Sequence, residues 1–164
     1  MIQDIFRALP HQYDEGAYAY VFFSPPGRAT KIFKRRQPSE SGHVREVFES
    51  EVSAYEIASS VPALQRLTPA YYGKVAVRDV LDGQGRSIAN LLFLDYAYQM
   101  DFVSGPFHKI GCMLPACYET LEGSFRTHGI FHTKDASVVL DETSNVLCVI
   151  DFAVREYELF HDDP

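Results

Sequence analysis

The chain has 164 residues, 46% of them hydrophobic and 13% aromatic with 12 Phe and 10 Tyr, so it can bury a sizeable core and is not a disordered tail. Its net charge of −7 repels phosphate backbones and anionic lipid, which argues against nucleic acid or membrane as the main partner and favours a basic protein. No stretch reaches the roughly 18 apolar residues of a membrane span, Asp4 and Pro10 interrupt any signal peptide, and Cys112, Cys117 and Cys148 lack a dense disulfide spacing; one domain over 1–164 in a reducing, cytoplasmic setting is expected.

The first regular elements are YAYVFFS (18–24) and RATKIFK (28–34), β-rich runs joined by the turn residues SPPG, which predict an antiparallel hairpin. Alternation along the second strand puts Lys31 and Lys34 on opposite faces. RQPSESGH (36–43) is the most polar connector and separates these strands from a helix. The basic run Lys34, Arg35 and Arg36 reads as a solvated edge or a contact for an acidic patch on a partner.

From Val44 the apolar residues fall at Val44, Val47, Phe48, Val52, Tyr55 and Ala58, the spacing of one helical face. Glu51 lies within that stripe. A carboxylate there needs a cationic or hydrogen-bonding partner, because desolvating it alone costs several kcal/mol, roughly. Lys31 on the preceding strand is the natural candidate, either as a structural ion pair or as half of a ligand site.

AYYGKVAVRDV (70–80) and IANLLFLDYAY (88–98) read as strands around the turn LDGQGR. The first hundred residues therefore run strand, strand, helix, strand, strand, an α+β arrangement of antiparallel sheet and one packed helix. Gly105 and Pro106 mark a connection. A second helix starts near Pro115, with Cys117, Leu121 and Phe125 on one face and Gly129 ending it. SVVL (137–140) and VLCVID (146–151), joined by DETSN, form a closing hairpin. His128 and His132 are not expected to share a continuous helix, since Gly129 and a β-prone stretch lie between them, and His108, Cys112 and Cys117 lack the spacing and fourth ligand of a zinc site.

The segment HGIFHTKDASVVLDETSNVLCVIDFA (128–153), together with ATKIF and FESEVSAY, resembles the protein-kinase-like fold. That family has a small lobe of antiparallel strands and one helix, a hinge, then a helix leading to a catalytic loop and a metal-binding Asp-Phe-Gly hairpin. The resemblance spans about the whole chain, with 1–98 as the small lobe and 99–164 as a shortened large lobe. It implies that Lys31 and Glu51 stand where the phosphate-binding lysine and its orienting glutamate do, that Gly16 in EGAYAYVF is the one glycine at the place of the glycine-rich loop, that Asp95 to Tyr98 form the hinge rim, and that Asp151 of VIDFA holds a divalent cation or else merely caps a turn. Ala153 replaces the motif's last glycine. Tyr18 and Tyr20 fill the loop region.

The catalytic loop departs from the family pattern, which needs His-x-Asp and an Asn five residues beyond the Asp. Counted forward from His132, HTKDASVVL puts Lys134 at the base position; counted back from Asp151, it puts Thr133 there and Val138 at the Asn, and neither register leaves an Asn as the second metal ligand. Asp135 serves as a base only if the loop bulges. With 13 residues after Asp151, no full activation segment is expected. The resemblance therefore implies a non-catalytic, pseudokinase-like protein that regulates or neutralises a protein partner, as an inhibitor, an adaptor or a bacterial toxin's immunity protein. The alternative is a minimal phosphotransferase using ATP and magnesium, with Lys31 and Glu51 on the phosphates, Asp151 on the metal and Asp135 as base. A third reading takes the likeness as accidental and the chain as another α+β binding domain.

Overall fold

Alternation in the β-rich runs, the helical stripe from Val44 and two aspartate-anchored turns lay out most of the chain. The computed structural model describes residues 2–24, 26–35 and 41–156; Arg36 and most of the polar connector lie outside them. In order the elements are β1 (Ile2–Arg7), β2 (Tyr13–Glu15), β3 (Ala19–Ser24), β4 (Arg28–Lys34), α1 (Ser41–Ser60), α2 (Pro62–Gln65), β5 (Tyr71–Leu81), β6 (Leu92–Asp101), β7 (His108–Lys109), α3 (Pro115–Arg126), β8 (Ser137–Leu140) and β9 (Val146–Ile150). The fold is mixed α+β, rich in antiparallel sheet and with few helices. Two compact units divide it: residues 1–52 with 69–104, and residues 53–68 with 105–164.

In the first unit six strands lie in the order β1-β5-β6-β4-β3-β2, with β1 parallel to β5 and the other neighbours antiparallel. Phe6 on β1 and Phe22 on β3 are four places apart in this order, roughly 19 Å in a flat sheet, yet their ring centroids are 5.4 Å apart. The sheet is therefore strongly curled. Its concave face holds Phe22, Ile32, Val77, Val80, Leu92 and Ala97, with Tyr13 and Tyr20 packed against them. The other face meets the first part of α1, whose Val44, Val47 and Phe48 are buried as the stripe requires. Phe33 packs edge-on against Phe48 at 5.5 Å.

Two hairpins turn by the same device. Asp82 Oδ1 accepts the backbone N–H groups of Gln84 and Arg86, and Asp141 Oδ1 accepts those of Thr143 and Asn145. Backbone donors, Arg86 foremost at Asp82 and Asn145 foremost at Asp141, hold both carboxyls below the usual range.

In the second unit β7, β8 and β9 form a three-stranded antiparallel sheet. Helix α3 begins at Pro115, as the sequence predicts, because proline tolerates the first helical turn. It ends in a Schellman arrangement: the Ile130 N–H donates to the Phe125 carbonyl, the Gly129 N–H donates to the Arg126 carbonyl, and Gly129 takes φ +85°. Tyr55, Phe125 and Phe152 form an aromatic core, with Phe152 4.5 Å from Tyr55 and 5.1 Å from Phe125 between ring centroids.

The strand expected over 88–98 instead runs Leu92–Asp101, preceded by a short 3-10 turn at Ala89–Leu91. Gln99, Met100 and Asp101 continue the ladder opposite Thr30, Ala29 and Arg28, and the Gln99 amide donates to Thr30 Oγ1 at 3.0 Å. Asp95 to Tyr98 are thus mid-strand and not the rim of a hinge; the connection begins at Phe102.

Candidate functional site

Strand alternation brings the first group of site residues together. Lys31 and Tyr98 are register partners on β4 and β6, while their neighbours Ile32 and Ala97 belong to the opposite, concave face. Lys31 and Tyr98 therefore project toward α1, where Glu51 sits inside the apolar stripe. Lys31 Nζ lies 3.0 Å and 2.9 Å from the two Glu51 carboxylate oxygens, and the Tyr98 hydroxyl donates to Glu51 Oε2 at 2.9 Å. Lys31 is 8% exposed and Glu51 4%. The pair anticipated from the stripe is formed, and a phenol joins it. Tyr98 escapes sequence reading because its role depends on a strand pairing nearly seventy residues apart in sequence, roughly.

Gly16 lies in the turn between β2 and β3. Its N–H donates to the Ala19 carbonyl at 2.9 Å, and its carbonyl accepts from Lys34 Nζ at 2.7 Å. The same ammonium reaches Glu15 Oε1 at 2.6 Å and lies 5.0 Å from the Tyr20 ring centroid. The Lys34 hydrogen bond, before any other influence, lowers the pKa of Glu15. Lys34 is thus tied across β3 to the end of β2 and the turn after it, and is not the solvated edge charge expected from the basic run. Arg35 stacks on Phe93, 4.4 Å from the ring centroid. Tyr18 is buried, with its hydroxyl 3.5 Å from His43 Nε2, whereas Tyr20 packs with Tyr13 and Phe22 toward the concave core.

The second unit holds the rest. Asp151 takes φ +62°, and its backbone N–H lies 3.4 Å from the Tyr55 hydroxyl. Phe152 and Ala153 are fully buried, and Ala153 forms a two-way backbone bridge with His132, both bonds at 2.9 Å. That bridge fixes His132 beside the segment carrying Asp151. The Ala136 N–H donates to the Thr133 carbonyl at 2.9 Å, closing a turn over Thr133–Ala136. The turn swings Asp135 back, so that its Oδ2 lies 3.1 Å from His132 Nε2.

His132 is fully buried. Burial pushes its pKa below the ordinary value of 6.5, against the opposing pull of Asp135. Thr133, at a base position of the resemblance, is 1% exposed, and its hydroxyl has no hydrogen-bond partner among the described residues. Among the described residues no three His, Cys, Asp or Glu side chains are grouped so as to hold a metal ion. His128 is exposed beyond the end of α3 while His132 is buried, so the two do not share a helical face. Cys112 and Cys117 are exposed free thiols, and Cys148 is a partly buried one.

No helix among the described residues is long and apolar enough to cross a membrane. Compared with known protein families, characterised proteins and solved structures, the chain matches none.

Proposed function

We propose that this chain is a kinase-like binding protein that engages a protein partner, regulating or neutralising it, and that it has no phosphotransfer chemistry of its own. The element order supports the kinase-like part of this reading: a hairpin, a lysine-bearing strand, a glutamate-bearing helix, two more strands, a connection, a helix, and a hairpin ending in Asp151-Phe152-Ala153.

The observation that carries the non-catalytic part is the internal satisfaction of the groups a nucleotide would need. The Lys31–Glu51 pair is one that nucleotide use also requires, so the weight falls on Gly16, whose N–H is taken by the Ala19 carbonyl and whose carbonyl is taken by Lys34 of β4. A loop that cradles phosphates must present unpaired backbone N–H groups. The acid–base position fares no better. Asp135 is turned onto His132, and a general base contributes about 100- to 10,000-fold only when it reaches the proton it removes. What remains is surface. The net charge of −7 suits a basic protein, whose association with the chain slows with added salt.

A transfer assay with labelled ATP, magnesium and a mixture of protein and small-molecule acceptors tests this. No incorporation above a buffer blank is expected. Magnesium-dependent transfer abolished by Asp151→Asn would overturn the reading in favour of a minimal phosphotransferase.

A further inference from the structure

One end of the first unit's sheet carries aromatic side chains that the core does not use. Tyr72 at the start of β5 is 46% exposed, and Phe102, just past β6, is 42% exposed. They belong to one knit surface. Phe102 packs edge-on against Phe23 at 4.7 Å between centroids, and its N–H donates to the Gly27 carbonyl at 2.8 Å. Arg28 is the cross-strand partner of Asp101 and places its guanidinium 3.8 Å over the Tyr72 ring. The Tyr72 hydroxyl donates to Asp101 Oδ1. No hydrogen bond among the described residues goes to Asp101 Oδ2.

Exposed aromatics gathered around a charged group are the composition of a protein-binding centre and not of an inert surface. The patch also indicates what it takes. It already holds one guanidinium over an aromatic ring beside a carboxylate, that of Arg28 over Tyr72. Phe102 and the open oxygen of Asp101 offer the same two features a second time. Arginine uses both at once, because its planar group stacks on a ring while its N–H edge binds a carboxylate; lysine, a compact strongly hydrated charge, does so less well.

We propose that Phe23, Tyr72, Asp101 and Phe102 form a docking surface for an arginine-bearing segment of a basic protein partner. This rests on the reading of the chain as a binding protein and supplies the partner's chemistry and its landing place. The chain's excess negative charge steers such a segment, and the aromatic patch gives it register.

The probe is a synthetic peptide of alternating arginine and glycine, titrated into the full chain with amide chemical shifts as the readout, with a lysine–glycine peptide as control. Saturable shifts centred on Gly27, Tyr72, Gly73, Asp101 and Phe102 are expected. The arginine peptide should bind several-fold more tightly than the lysine one, and Phe102→Ala or Asp101→Asn should each weaken it about fivefold or more. Both substitutions are at the surface, and an otherwise unchanged amide spectrum verifies the fold. Shifts spread over the acidic surface, equal binding of the two peptides, or binding indifferent to both substitutions would overturn the assignment. Failure of the parent reading is a separate event, registered by phosphate transfer and not by this titration.

Discussion

Lys31 and Tyr98 stand opposite each other on neighbouring strands and converge on one carboxylate, that of Glu51. The ion pair is buried, so its contribution is asymmetric: the desolvation of two charges offsets much of their attraction, but removing one charge strands the other. Lys31→Met and Glu51→Leu should each destabilise the chain by about 3 to 5 kcal/mol, while the double substitution recovers most of that loss. Tyr98→Phe should cost about 1.5 to 3 kcal/mol, the range for a hydrogen bond to a charged group. Urea denaturation of the four variants measures the cycle; additive losses in the double variant would mean the two side chains are not coupled.

Phe152 is fully buried between Tyr55 and Phe125. Truncation to alanine leaves a cavity and should cost about 3 to 5 kcal/mol, whereas Phe152→Leu should cost less than half as much. A small effect of the alanine variant on the denaturation midpoint would show that this aromatic cluster does not hold the second unit together.

Two glycines near α3 should respond in opposite directions. Gly129 adopts φ +85° in the helix stop, where a side chain adds about 1 to 2 kcal/mol of backbone strain, so Gly129→Ala should lower the melting temperature. Gly123 lies inside α3, and a Cβ there meets nothing within 4 Å. Gly123→Ala should therefore raise stability by about 0.8 to 1 kcal/mol.

How far these features were legible depends on the range of the interactions that create them. Hairpins such as β3–β4 and β8–β9, the α1 stripe and the Pro115 and Gly129 helix limits are set by residues within a few positions of one another, and the sequence predicts them. Strand β1 carries no comparable mark, because it pairs in parallel with the distant β5 and not across a tight turn. The three-residue β2 and two-residue β7 are too short to show periodicity. Glu51 was readable as a carboxylate needing a cation, since it interrupts an apolar face. Tyr98 was not, because a tyrosine in an apolar strand looks like core until the partner strand is known. Lys34 reads as an edge charge in the sequence for a similar reason: its acceptors, Glu15 and the Gly16 carbonyl, lie across the sheet on β2 and its turn.

The buried His132 gives the chain a pH dependence whose sign follows from its depressed pKa. Burial is the leading cause, opposed by Asp135 and, more weakly, by Glu156, and reinforced by Lys134. The unfolded histidine protonates near the ordinary value of 6.5 while the folded one stays neutral. Stability attached to this group is therefore complete above that pH and is lost as pH falls from there toward the lowered folded value. Denaturant midpoints taken across this window should decline, and the decline should flatten in His132→Gln. Asp135→Asn removes the group that opposes burial and should extend the decline to lower pH. A wild-type midpoint constant through the window would contradict a buried neutral histidine.

The most direct measurement is a calorimetric titration of the purified chain with ATP and magnesium, with Lys31→Ala and Asp151→Ala as controls. With the Gly16 N–H bonded to the Ala19 carbonyl and its carbonyl to Lys34 of β4, so that this turn presents no backbone cradle for phosphates, no heat of binding is predicted from the folded protein. Saturable binding that disappears in both variants would contradict a purely binding role and establish a live nucleotide site.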